Sequence, residues 1–158
     1  MSSIVVSGSV APSIAAPSTQ STSRKAGREY ARTGALTVLA AVLANVLVYF
    51  LGDLVVRYDS DFLVLNNPSG VALFTFVAAT VAVLLYGGLL RFTANPVRVF
   101  YAISAIVFVV ATIPDFTYIP SQEGASNGQT AILVLTHLVA AGVIFGMLTT
   151  LARPSRAR

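Results

Sequence analysis

The sequence predicts an all-α, polytopic membrane protein, a bundle of four transmembrane helices behind a disordered N-terminal tail. Composition is the first ground: 56% of the 158 residues are hydrophobic and 10% are charged, against about 25% charge in an ordinary soluble domain. A soluble core of this size has no room for so much apolar surface, so lipid has to be the solvent. The second ground is four separate apolar blocks, at 33–56, 71–90, 97–113 and 130–151. The third is a one-sided distribution of basic residues around those blocks.

Residues 1–23 are rich in Ser, Ala, Pro and Thr and hold no charged side chain. No basic n-region precedes Ile4-Val5-Val6, and Ser7, Gly8, Ser9 and Pro12 break up the apolar content. The stretch reads as a disordered, solvated extension rather than a signal peptide. Arg24, Lys25, Arg28 and Arg32 then form a basic collar directly against the first apolar block. The expected organisation is a tail with its basic collar over 1–29, a membrane domain over 30–152, and a short basic tail over 153–158.

The first span, 33–56, is apolar apart from Asn45 and Asp53. The linker 57–70 carries Asp59, Asp61, Asn66-Asn67-Pro68 and Ser69-Gly70, which is turn chemistry. Within it, Phe62–Leu65 is too short to span and is expected at the interface. The second span, 71–90, is closed by Arg91, and residues 92–96 make a tight turn. The third span, 97–113, is followed by Pro114, which is expected to end or kink the helix. A polar loop, 115–129, leads to the fourth span. That span, 130–151, holds no Lys, Arg, Asp or Glu, and at about 1.5 Å of rise per residue it covers roughly 33 Å, enough for a bilayer core.

Four spans put both ends of the chain on one side. Nine of the ten basic residues, all but Arg57, then fall on that side with Glu29 as the lone acid there. The positive-inside rule makes that side the cytoplasm. The same asymmetry accounts for the pI near 9.9 without any nucleic-acid partner. The bilayer is the expected partner, with a homo-oligomer or a larger membrane complex beside it. The chain has no cysteine, which excludes disulfides, iron–sulfur clusters and thiolate zinc sites. No cofactor and no metal are expected.

Candidate functional residues are the polar ones that the apolar blocks contain. Asn45, Tyr49 and Asp53 repeat every four residues and share an arc of about 80° on the first span. Ser104, Phe108, Thr112 and Asp115 make a similar stripe on the third, provided the helix survives Pro114. His137, the only histidine, is expensive in lipid unless it faces protein or water. By rise along the helices, Asn45 lies roughly 16 Å and His137 roughly 10 Å below the outer surface. With the first, third and fourth spans as neighbours, His137, Asn45, Tyr49, Asp53, Asp115 and Thr112 are expected to surround one outward-facing crevice, a candidate ligand or proton site. Gly142 and Gly146 form a GxxxG, expected to pack within the bundle and weak evidence for dimerisation. Tyr49, Tyr58 and Tyr101 read as anchoring aromatics at the interfaces.

Catalytic patterns are absent: no nucleophile elbow, no HExxH and no phosphate-cradling glycine loop occur. The sequence therefore favours a non-enzyme.

A first span containing AxxANVLVY (41–49), a second closed by Arg91, a third ending ATIPD (111–115) and TAILVLTHLVAAGVIFGML (130–148) together resemble a bacterial, mainly actinobacterial, family of four-span membrane proteins of unknown function. The resemblance covers roughly 30–152 and is most specific at Pro114-Asp115 and His137–Ala141. It implies four helices and a bacterial inner membrane, and it implies no substrate. Three roles are open on these grounds: a small structural or accessory subunit, an oligomeric transporter or proton-coupled carrier using the crevice at His137, and a redox subunit binding quinone or haem.

Overall fold

The computed structural model describes residues 19–58, 61, 65 and 67–152. These form four α-helices, α1 (Thr19–Val56), α2 (Pro68–Phe92), α3 (Pro96–Thr117) and α4 (Asn127–Leu151), with one 3-10 turn at Ile119–Ser121. Each helix is long and apolar enough to cross a membrane.

Local chemistry sets the helix ends. Asn67 accepts from the Ser69 N–H at 2.9 Å and Pro68 opens α2. Pro96 opens α3 in the same way, where a missing N–H leaves nothing unsatisfied. Ser126 and Gln129 close a reciprocal capping box on α4, with Ser126 N donating to Gln129 Oε1 at 2.9 Å and Gln129 N to Ser126 Oγ at 3.2 Å. α1 ends with Arg57 in the left-handed region, φ 51°, its N–H on the Asp53 carbonyl.

Two boundaries differ from the sequence reading. α1 begins at Thr19, so residues 19–23 of the expected disordered tail are helical, and so is the whole basic collar. Its 38 residues amount to about 57 Å, well beyond a hydrocarbon core of about 30 Å. Residues 1–18 lie outside the described residues, as do 62–64 and 153–158. α3 runs through Pro114 to Thr117. Proline removes one N–H donor and so frees the Val110 carbonyl one turn back, a loss that membrane helices tolerate. Thr112 bonds the Phe108 and Val109 carbonyls, and Thr117 bonds that of Ile113.

The helices pack antiparallel in sequence. Gly34 lies against Val83 and Gly128 against Val56, while the Phe100 and Phe145 rings stack at 6.0 Å. The Tyr30 hydroxyl donates to the Val83 carbonyl, tying α1 to α2. The core has two apolar parts. One, at the end that carries the basic collar, gathers Ala41, Ala79, Tyr86, Phe100, Ile144 and Leu148. The other, at the end of the α1–α2 linker, gathers Tyr49, Leu65, Val71, Ile119 and Leu133. Leu65, expected at the interface, is fully buried there. Outside this core the helices present Leu, Val, Ile and Phe outward, as a lipid solvent requires.

The GxxxG expectation is corrected. A Cβ on Gly142 or Gly146 would meet nothing within 4 Å, so neither glycine brings helices together within the bundle. The close approaches occur at Gly34, Gly52, Gly87 and Gly128 instead.

Candidate functional site

Between the two apolar clusters lies a polar layer. Asn45 on α1 is 3% exposed and its Nδ2 donates to Thr75 Oγ1 on α2 at 2.8 Å. Asp115 on α3 is 5% exposed, and its Oδ2 sits 3.3 Å from Nδ1 of His137 on α4. Continuation of α3 past Pro114 is what brings the carboxyl to this depth. Thr136 is buried beside them, donating to the Leu133 carbonyl at 2.7 Å.

The hydrogen bonds define the histidine. Nδ1 lies 2.9 Å from the Leu133 carbonyl as well as near Asp115. Both neighbours are acceptors, so Nδ1 carries the proton. The proton is directed at Leu133, and Asp115 Oδ2 gains electrostatic attraction without a directed bond. That oxygen and Asn45 Oδ1 are the buried side-chain atoms without a hydrogen-bond partner among the described residues.

Both unpartnered residues line one crevice of about 390 Å³, walled by Val71, Phe74 and Thr75 of α2, Ala111 and Asp115 of α3, and Leu133, Thr136, His137 and Ala140 of α4. Its size falls in the range of small-ligand sites. A second crevice of about 310 Å³ between α2, α3 and α4 is almost wholly apolar, with Ser104 and His137 in its wall. The two share Ala78, Ala111, His137 and Ala140. His137 thus stands where a polar crevice meets an apolar one. Phe100 lines the apolar crevice and Tyr86 packs against it with ring centroids 4.9 Å apart, both buried.

Of the six expected site residues, the structure brings Asn45, Asp115 and His137 to the crevice. Tyr49 does not join them. Its hydroxyl donates to the Leu65 carbonyl at 3.0 Å, and its own carbonyl accepts from the Tyr58 hydroxyl at 2.9 Å. Tyr49 is therefore a buried pin for the α1–α2 linker, not an interfacial anchor. Asp53 serves the same linker, with Oδ1 accepting from the Tyr58 N–H at 2.9 Å. Thr112 is bonded back to its own helix. In the linker, burial first and the Asp53 carboxylate second push the Tyr58 hydroxyl up to about 12.

Sequence reasoning missed Thr75 and Thr136. A threonine in an apolar helix usually bonds its own backbone, as Thr80 and Thr149 do, so a lone hydroxyl carries little signal. Thr75 stands apart by accepting from another helix.

Four apolar antiparallel helices around a buried polar layer define the class: a four-span helical membrane protein. The chain belongs to DUF6069, a family of unknown function, whose model matches residues 25–154. No curated protein and no solved structure matches it.

Proposed function

We propose that the protein is a non-enzymatic accessory subunit of a membrane assembly that binds a small ligand in the crevice at Asp115 and His137. One observation carries this reading: a nine-tenths-buried carboxyl whose free oxygen lines a crevice together with a second unpartnered oxygen, that of Asn45. Ionisable groups inside membrane spans mark ligand, ion or proton sites. The polar groups suit binding, since no hydroxyl or amine at the crevice is held against a base as a nucleophile would be. A carrier of four helices works as a homo-oligomer or within a larger complex. The setting in this reading is a bacterial inner membrane with both ends of the chain cytoplasmic, supported by the basic residues gathered at one end of the bundle. The rival is a purely structural subunit, favoured by α3, of whose apolar window only 6% is buried inside the bundle.

Water in the crevice separates the two. The chain has no native cysteine, so single substitutions give clean labels. Ala111→Cys, on the shared wall of both crevices, is expected to react with a charged, membrane-impermeant thiol reagent. Val110→Cys, whose parent side chain is 58% exposed on the apolar exterior, is expected to stay silent. Equal silence at both positions leaves Asp115–His137 as a dry structural tie and defeats the binding reading.

A further inference from the structure

We infer that the crevice is a site for a small monovalent cation, an alkali ion or ammonium; this rests on the proposal that the crevice is a binding site. The buried atoms left without partners, Asn45 Oδ1 and Asp115 Oδ2, are both oxygen acceptors. Each belongs to a side chain more than nine-tenths buried, and both side chains line the same space. His137 lines the same space, with Nδ1 turned to the Leu133 carbonyl. The Thr75 and Thr136 oxygens stand in the same wall.

A site rich in unpartnered acceptors calls for an electron-poor guest. Carboxylate, amide and hydroxyl oxygens are the ligands that hard cations take. The charge selects the valence. Asp115 is the one carboxyl in the wall, and no group of three His, Asp or Glu side chains placed to hold a polyvalent metal occurs among the described residues. Ionised, Asp115 brings one negative charge, which one bound positive charge matches. A cation bound between the two orphan oxygens would meet both, which the Nδ1–H of His137, directed at Leu133, does not.

The test is thermal unfolding of the full chain in detergent micelles at constant chloride and ionic strength. Sodium, potassium or ammonium chloride replaces N-methylglucamine chloride, whose large organic cation is not a compact ion of the proposed kind. At least one small cation is expected to raise Tm saturably, on the order of 5 °C at a hundredfold excess over Kd. Which salt acts identifies the guest as alkali ion or ammonium. Asp115→Asn keeps the shape and removes the charge, and is expected to abolish the rise. Asn45→Ala is a second variant should the first not fold, and is expected to raise the half-saturating concentration about tenfold. No cation-specific rise, or a rise untouched in whichever variant folds, overturns the inference. A labelled Ala111→Cys with no cation effect removes the cation and keeps the wet crevice, whereas an unlabelled Ala111→Cys removes the binding reading itself.

Discussion

Gly34→Ala tests the packing that holds the crevice walls in place. A Cβ on Gly34 would lie 2.6 Å from Val83 Cγ1, where carbon atoms prefer about 3.5–4.0 Å. The overlap is thus about 1 Å. Val83 is β-branched, and in a helix such a side chain has essentially one χ1 rotamer, so it does not swing aside. Overpacking of this kind costs about 1–3 kcal/mol. The alanine also gains helix propensity over glycine, about 0.5–1 kcal/mol, which masks part of the loss. Gly142→Ala supplies the control, because it gains the same propensity and its Cβ meets nothing within 4 Å. The stability difference between the two variants isolates the packing and is expected to be about 1–3 kcal/mol. Reversible unfolding in mixed micelles, followed by far-UV circular dichroism, measures it. Val83→Ala in the Gly34→Ala background removes the clashing methyls, and the double-mutant cycle is expected to show favourable coupling. Equal stability of Gly34→Ala and Gly142→Ala refutes the packing argument. A Gly142→Ala less stable than wild type shows that the α4 glycine face is packed after all.

The Tyr58 hydroxyl sets an alkaline limit. Its folded value of about 12 lies above the ordinary tyrosine value of about 10, so the stability it contributes is complete below about 10 and is lost as pH rises through about 12. Tyr58→Phe is expected to flatten that decline, seen as a smaller Tm loss between those pH values, and an unchanged decline counts against the linker assignment. Reporter fusions that fluoresce only in the cytoplasm are expected to light up at residue 158 and to stay dark within 59–67, and the reverse pattern defeats the orientation.

The four spans were legible because lipid demands whole helices of apolar residues, and that demand leaves its mark residue by residue. The start of α1 was not legible. Residues 19–32 are polar, and hydropathy says nothing of a helix that projects beyond the lipid. Pro114 misled for a different reason: the rule against internal proline is drawn from soluble helices, and helices in membranes tolerate proline more readily. In the site, Asn45, Asp115 and His137 were legible because polar groups are costly in hydrocarbon. Tyr49 and Asp53 share a face with Asn45 and yet serve the linker, because helical spacing fixes a direction but not what waits there. Masked by the GxxxG at Gly142 and Gly146, the true close approaches at Gly34 and Gly128 had no motif, being defined by the Val83 and Val56 methyls on other helices.

The balance of magnitudes favours a guest in the polar layer over a tie alone. Contacts such as Asn45–Thr75 and Asp115–His137 contribute about 0.6–2 kcal/mol each in membrane bundles. An unsatisfied buried acceptor costs about 1–3 kcal/mol, and the layer holds two, Asn45 Oδ1 and Asp115 Oδ2. Taken with the protein atoms alone, the layer is close to neutral or worse, and a leucine at position 45 with an isoleucine at 115 would pack the bundle without the orphan oxygens. The layer becomes favourable once something in the crevice meets both oxygens. A water molecule can donate to both oxygens but does not neutralise an ionised Asp115. A small cation meets the oxygens and the charge together, which is why Asp115→Asn is the decisive variant.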